Sequence, residues 1–264
     1  MPETVSRTSS TADARPCEQI SFPSALRLQP AATPSALPHR VDSRIGAGLA
    51  GGFYPAPHRY ELYLSRSCPF SLRIAITLEL LGLRDSVATT LLADPARTPD
   101  AFASLRRAYE ATEYHFDGPL TAPALCDRWS GRIVSNHPPA ILRDLAGLFS
   151  GHATTSPSAI CPPSLAADIE ALRDLLDRDV TPSAPASELA AALELLDCQL
   201  AASAYVLGDS LTAADVDVWT ALTGLGPCDA LRSHPRLLDY VRRLGDHPAF
   251  RHGSDVVPLA AADV

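Results

Sequence analysis

One cysteine lies where a strand-like segment meets a helix-like one, and this junction limits the folds open to the chain. Three regular segments surround it: an alternating run at 60–64, a helical run at 72–81 and a second strand at 87–92. Pro69 suits the first turn of a helix, where a missing N–H loses no partner, and Gly82 suits the C-terminal cap. The pattern predicts a β-α-β unit with Cys68 at the start of its helix.

The predicted position of this cysteine favours its anionic form. The first N–H groups of a helix are unpaired and the helix dipole is positive there, so thiolate is stabilised over thiol. Arg66 and Arg73 are close in sequence and are expected to add positive charge. Ser71 takes the second position of a redox pair, so Cys68 cannot close a Cys-x-x-Cys disulfide and a second thiol must come from a small molecule. A buried cysteine without a chemical role is the alternative.

A β-hairpin is predicted further along the first half of the chain. Its strands are 123–127 and 132–135, and a helix follows from about 139 to 149. Residues 93–116 show no clear period and are expected to be irregular and partly helical. With the β-α-β unit, the hairpin and its helix form a small α/β domain with a mixed sheet.

The second half is predicted to be an all-α bundle. Apolar residues recur at helical spacing in 165–176 and again in 189–200. Thr212 and Asp215 have the spacing of a capping box, so a helix is expected to begin there. A last helix is expected at 236–244.

The expected organisation has five parts. They are a disordered or loosely attached extension (1–55), the α/β domain (56–149), a linker rich in Ser, Pro and Thr (150–163), the helical domain (164–250) and a tail (251–264). Because the extension lacks a periodic apolar face, it is expected to be dispensable for folding.

Charge and hydropathy exclude several functional classes. The net charge is −8 and no basic run occurs, which argues against a nucleic-acid surface. No apolar run reaches the roughly 18 residues that span a bilayer, so no membrane partner is expected. The polar N-terminus lacks a signal-peptide pattern, which favours a cytoplasmic protein. The six cysteines and eight histidines show no metal-ligand spacing, and no metal is expected.

Residues 59–71, Arg-Tyr-Glu-Leu-Tyr-Leu-Ser-Arg-Ser-Cys-Pro-Phe-Ser, resemble the active-site segment of the Xi-class glutathione transferases, the glutathionyl-hydroquinone reductases. The similarity continues through 119–125 and 133–136, and 207–215 resembles a C-domain signature shared by all transferase classes. The resemblance implies the glutathione transferase fold, with a thioredoxin-like N-terminal domain and an all-α C-terminal bundle. It also admits a homodimer.

The resemblance implies a mechanism as well. Cys68 as thiolate attacks the sulfur of a thiol adduct, forms a mixed disulfide and releases reduced product, and a second small thiol resolves the disulfide. Ala122 is implied to hold the thiol through its own N–H and C=O beside Pro123, whose peptide bond is expected to be cis. The implied thiol-binding residues are Phe70, Ala122, Pro123, Asn136 and His137.

The chain departs from the family where the far end of the thiol would bind. After Ser-Asn the family carries Glu-Ser, which binds the γ-glutamyl group of glutathione, whereas His137 and Pro138 stand here. Neutral histidine cannot match a carboxylate for a cationic amine, and proline offers no donor. Phe70 replaces the family's Trp, and the family's Tyr-rich C-terminal tail is missing.

Three interpretations therefore stay open. The first is a thiol-transfer enzyme that uses another low-molecular-weight thiol, such as mycothiol, and the second is one that binds glutathione with lower affinity. The third is a catalytically silent, transferase-like module that works through protein contacts. The retained Cys68 favours the enzymes, a transferase or thiol-dependent reductase that acts on a quinol-type or similar electrophilic adduct.

Overall fold

Four strands form one mixed sheet in the order β2-β1-β3-β4. In the computed structural model, which describes residues 40–46, 52–66, 68–148, 160–226 and 228–257, the strands are β1 (Tyr60–Ser65), β2 (Val87–Leu92), β3 (Ala124–Asp127) and β4 (Arg132–Ser135). β1 and β2 run parallel, with Tyr60 opposite Val87, while β3 pairs antiparallel with both β1 and β4. The mixed sheet predicted for the first half is confirmed.

Three helices cover the two faces of this sheet: α1 (Pro69–Leu81), α2 (Pro99–Thr112) and α3 (Pro138–Leu148). α1 and α3 pack against each other, and α2 packs against β2 and β4. The sequence period does not reveal α2, because its buried side chains are few, namely Leu105, Ala108 and Tyr109. Such a narrow apolar stripe gives little helical signal.

The described part of the second half is helical, as predicted. Its helices are α4 (Ala166–Asp179), α5 (Ala186–Ala202), α6 (Ala213–Gly224), α7 (Asp229–Arg232), α8 (Pro235–Gly245) and α9 (Pro248–Val256). α1 packs against α6 and α9, so one apolar core crosses the two halves. Gly253 is required at this contact, since a Cβ there would lie 2.6 Å from Ile76 Cγ1.

Helix α6 begins at the capping box that the sequence predicts. The Thr212 N–H donates to the Asp215 carboxylate at 2.8 Å. The same buried carboxylate accepts the Val206 N–H at 3.0 Å and the Tyr240 hydroxyl at 2.7 Å. The cap therefore also ties α6 to the preceding loop and to α8.

The N-terminal extension differs from the expectation where the structure describes it. Residues 40–46 lie along the outer edge of β4, with an antiparallel bridge between Asp42 and Ser135. Val41 and Ile45 are buried in the apolar cores. A loose attachment up to residue 55 is therefore wrong for this segment, because pairing with a sheet edge needs no periodic apolar face. Residues 1–39 lie outside the described part of the chain.

The C-terminal boundary also differs from the expected tail at 251–264. α9 continues to Val256 and packs on α1, with Phe250 and Gly253 buried. Most of the predicted linker, residues 150–159, lies outside the described residues. None of the helices in the described ranges is long and apolar enough to cross a membrane.

Candidate active site

Cys68 caps the N-terminus of α1, at the junction where it is predicted. Its backbone is extended (φ −100°, ψ 115°) and its carbonyl accepts the Leu72 N–H at 3.0 Å. The thiol is half-buried, and among the described residues no hydrogen bond engages its sulfur. The sulfur is therefore available to a ligand at the positive end of the helix dipole.

Ser71 fastens this junction from inside. It is fully buried, and the Ser65 N–H at the end of β1 donates to its Oγ at 2.9 Å. The serine of the Cys-x-x-Ser motif is thus a structural link between β1 and α1.

Arg73, which is expected to add charge beside Cys68, pairs with two acidic side chains of the helical half. Its buried guanidinium points across to the helical half, where it lies 3.3 Å from Asp177 and 3.5 Å from Asp217. The same guanidinium sits 5.4 Å from the ring centroid of Phe70. Arg73 therefore supports Phe70, whose ring is 39% exposed in the first turn of α1.

The peptide bond between Ala122 and Pro123 is cis, as predicted. Within the described residues, neither the N–H nor the carbonyl of Ala122 takes a hydrogen bond, although the residue is only partly exposed. The preceding Thr121 is held by the Tyr109 hydroxyl at 2.7 Å. The loop thus presents one donor and one acceptor on a fixed backbone.

The sheet brings the candidate residues together at one end of its strands. Tyr63 pairs with Ala124, and Leu125 pairs with Ser135. The end of β1, the start of β3 and the end of β4 therefore meet at the same side of the domain. The candidate residues next to these strand ends are Cys68, Phe70, Ala122, Pro123, Asn136 and His137.

Asn136 lies in the predicted place, but its amide serves the framework. Its Oδ1 accepts the Val41 N–H at 2.8 Å. Its Nδ2 donates to the Tyr109 hydroxyl at 3.1 Å and to Thr121 Oγ1 at 3.0 Å. Asn136 therefore joins the cis-proline loop to the N-terminal segment, and we expect it to position the site, not to bind the thiol itself.

His137 marks the second strand-to-helix junction, between β4 and α3. Its N–H donates to Ser135 Oγ at 3.1 Å. The first helical residues, Pro138 and Pro139, have no N–H to offer a ligand. Burial lowers the pKa of His137 and the nearby charge of Arg40 lowers it further, so the imidazole is neutral at pH 7.

The relatives of this chain are glutathione transferases and related reductases. Residues 186–243 match the family described as the glutathione S-transferase C-terminal domain. The chain is 28% identical over 242 residues to the glutathionyl-hydroquinone reductase YqjG of Escherichia coli K12, covering 78% of this chain and 72% of that protein. It is 26% identical over 238 residues to the glutathionyl-hydroquinone reductase PcpF of Sphingobium chlorophenolicum, covering 79% and 74%.

Solved structures agree on the fold. The glutathione-bound structure of E. coli YqjG has a TM-score of 0.67 at 22% identity, covering 82% of this chain and 84% of that one. A Xi-class enzyme from Natrialba magadii has a TM-score of 0.69 at 20% identity, covering 86% and 85%. The chain is similar to glutathione transferases and related reductases over more than three quarters of its length. Its similarity is to the Xi class, as the sequence motifs predict.

The sequence motifs identify the candidate residues around Cys68 and His137, but they miss two neighbours of His137. Arg40 and Asp42 lie beside His137, with the Arg40 guanidinium 3.2 Å from His137 Nδ1 and 2.5 Å from Asp42. Both belong to the N-terminal segment. No motif or period marks that segment in the sequence, so only the structure places Arg40 at the site.

Cys126 and Cys161 lack the exposure of Cys68 or its position at the N-terminus of α1. Burial on β3 raises the pKa of Cys126 to about 12. Burial also raises the pKa of Cys161. Both should therefore stay protonated at neutral pH. In the parts of the chain that the structure describes, no three potential ligand side chains come together to hold a metal.

Proposed function

We propose that this protein is a thiol-transfer enzyme that reductively removes a small thiol from a quinol-type adduct, with Cys68 as nucleophile. One observation carries the proposal. A half-buried thiol, with no hydrogen bond to its sulfur among the described residues, caps α1 at the same end of the sheet as the cis-proline loop. Two relatives that carry the name glutathionyl-hydroquinone reductase point to the same chemistry.

The reaction balances without another cofactor. The Cys68 thiolate attacks the adduct sulfur, so an S–S bond forms and the bond from sulfur to the quinol carbon breaks. That carbon keeps the electron pair and takes a proton, which gives the free quinol. A second small thiolate then attacks the mixed disulfide, releases the disulfide of the two small thiols and restores Cys68. Two sulfur atoms, the thioether sulfur of the adduct and the sulfur of the second thiol, are thereby oxidised to a disulfide for each quinol released.

The backbone of Ala122 orients the thiol for this attack. Its N–H and C=O are positioned to pair with the peptide-like part of the thiol, as the residue before the cis-proline does in this fold. Phe70 provides an apolar wall in the first turn of α1, and the Arg73 guanidinium lies over its ring. The first turn of α1 faces the developing charge on sulfur with unpaired N–H groups.

The thiol itself is proposed to differ from glutathione, with mycothiol as one candidate. The γ-glutamyl end of glutathione would meet His137, Pro138 and Pro139, which supply neither a carboxylate for the amine nor helix N–H donors for the carboxylate. Each lost bond to a charged group is worth about 1.5–3 kcal/mol, so two such losses weaken binding by about a hundredfold or more. Glutathione then remains a weaker substrate.

A silent interaction module is less well supported. Such a module has no need of an unengaged sulfur at a helix N-terminus, and the described residues hold Cys68 in that state. The proposal places the enzyme in the cytoplasm, because small thiols are kept reduced in that compartment. It also includes a homodimer. Light scattering of the purified protein tests the dimer.

The decisive experiment is to detect the mixed disulfide. Protein is incubated with glutathionyl- and mycothiolyl-hydroquinone, quenched with acid, and the mass on the Cys68 peptide is read together with the release of quinol. One thiol is expected on Cys68 for each quinol released. Cys68→Ser should give neither, while Cys126 should stay unmodified. Quinol release without an adduct in the wild type, or no release from either substrate, would contradict the proposal.

A further inference from the structure

The N-terminal segment Arg40–Gly46 is built into the domain at the edge next to His137. The backbone of Val41 exchanges hydrogen bonds with Asn136: the Val41 N–H donates to Asn136 Oδ1 at 2.8 Å, and the Asn136 N–H donates to the Val41 carbonyl at 3.1 Å. The Ile45 N–H donates to the buried carboxylate of Asp144 on α3 at 3.0 Å. The segment is therefore pinned to β4 and to α3.

This attachment determines where Arg40 stands. As the neighbour of Val41, it is carried to the start of α3, where its guanidinium lies 3.2 Å from His137 Nδ1. Arginine can only donate, so that ring nitrogen accepts and the ring remains neutral. Arg143, one and a half turns along α3, is exposed and adds a second positive charge. Asp42 is the acidic side chain in contact with Arg40.

The charge at this place differs from what an ammonium group needs. Two guanidinium groups and one carboxylate leave a net positive charge, while Pro138 and Pro139 remove the helix N–H donors. An ammonium ion would be repelled and would find no unshared carboxylate. A carboxylate or hydroxyl oxygen would find arginine N–H donors and a neutral imidazole.

We infer that Arg40, presented by the N-terminal segment, is a specificity-determining residue that binds the far end of the thiol together with His137. The ligand class is a thiol whose far end is rich in oxygen acceptors and carries no ammonium group. The inference rests on the proposed function only in placing the thiol between Cys68 and His137.

The test is equilibrium binding to the Cys68→Ser protein, which cannot trap a disulfide. Calorimetric titration at pH 7.5 compares glutathione with its deamino analogue, N-glutaryl-cysteinylglycine, which keeps both carboxylates and lacks the amine. Mycothiol supplies the hydroxyl-rich arm. At least one of the two amine-free thiols should bind about tenfold or more tighter than glutathione, and which one does separates carboxylate from hydroxyl recognition.

Substitution of Arg40 then tests whether this residue causes the preference for amine-free thiols. Arg40→Gln should abolish the preference for the amine-free thiols and leave the melting temperature unchanged, because the Arg40 side chain is exposed. Arg242→Gln, at an exposed arginine on α8, is the matched control and should keep the preference.

The outcomes separate this inference from the proposed function. Equal or tighter binding of glutathione, no binding of any of the three thiols, or a preference that survives Arg40→Gln would overturn the role of Arg40. The Cys68 adduct would still report on the reaction. Conversely, a missing adduct with an Arg40-dependent preference would leave the subsite in place and reject the reaction.

Discussion

Two strand-to-helix junctions of this domain are built alike and carry different chemistry. At the first, β1 leads into α1 and Ser71 Oγ accepts the Ser65 N–H at 2.9 Å. At the second, β4 leads into α3 and Ser135 Oγ accepts the His137 N–H at 3.1 Å. A proline opens the helix in both cases.

The difference lies in what each helix start can offer a ligand. α1 has a single proline in its first turn, so the following N–H groups remain and Cys68 stands before them. α3 begins with two prolines, and its polar groups come from His137 and from the N-terminal segment. The comparison teaches that similar backbone junctions offer different groups: backbone N–H donors beside Cys68 at the first, and side chains of His137 and Arg40 at the second.

The largest expected effect comes from removing the thiol of the first junction. Cys68→Ser removes the nucleophile but keeps the helix start, so release of quinol from a thiol adduct should fall by more than about a thousandfold. Stopped-flow or steady-state assays of quinol release measure this. Cys198→Ser, at a half-buried cysteine on α5, should retain full activity. Substantial turnover by Cys68→Ser would show that another group performs the reaction.

The next effect breaks the second junction by removing the N-terminal segment. A chain that starts near Gly51 exposes the places of Val41 and Ile45 and leaves the Asp144 carboxylate without the Ile45 N–H. Burial of two aliphatic side chains and one hydrogen bond to a carboxylate contributes about 5 kcal/mol to the free energy of unfolding. The melting temperature should therefore fall by about 10 °C or more.

A chain that starts at Arg40 is the matched control for this truncation. The two chains differ only in residues 40–50, so their calorimetric melting temperatures isolate the contribution of the segment. Equal melting temperatures would mean that the extension is dispensable, as the sequence alone suggests. The inference that Arg40 of this segment binds the far end of the thiol would then lose its structural support.

The sequence predicts the first junction far better than the second. The β-α-β pattern, Pro69 and Gly82 are local signals, and they locate Cys68 correctly. The contact of residues 40–46 with β4 joins parts of the chain about 95 residues apart, as for Val41 and Asn136, and leaves no local pattern. Backbone pairing and two buried side chains are enough to hold it.

Arg73 shows a second limit of sequence proximity. It is five residues after Cys68, but five residues along a helix turn the side chain by about 140°. The guanidinium reaches Asp177 and Asp217 in the helical half. Distance along the chain predicts a charge near the cysteine, but it does not predict these two acidic partners.

A third prediction makes the second junction resemble the family. The double change His137→Glu, Pro138→Ser supplies a carboxylate for the amine of glutathione and restores one N–H and one hydroxyl at the start of α3. Affinity for glutathione should rise by tenfold or more if a new charged bond contributes about 1.5 kcal/mol. Calorimetric titration of the wild type and the folded double variant measures the change.

His252→Glu with Pro248→Ser, placed on α9 away from the site, controls for added charge and lost proline. Its affinity for glutathione should equal that of the wild type. No gain in the folded double variant at His137 and Pro138, or tight binding by the wild type, would remove the case for an altered thiol.

The smallest effect compares the two serines that fasten the junctions. Ser71→Ala and Ser135→Ala each remove the acceptor of one partly buried backbone N–H, so each should lower the free energy of unfolding by about 1 kcal/mol. Their effects on the site should differ. Ser71→Ala loosens the start of α1 and should slow alkylation of Cys68 by iodoacetamide a few-fold, whereas Ser135→Ala should leave alkylation unchanged and weaken thiol binding a few-fold. Urea denaturation, alkylation rates and calorimetry measure the three quantities on the same preparations. An alkylation rate that is reduced equally in both variants would mean that the two junctions are coupled through the sheet, because loosening either one would then disturb the cysteine to the same degree.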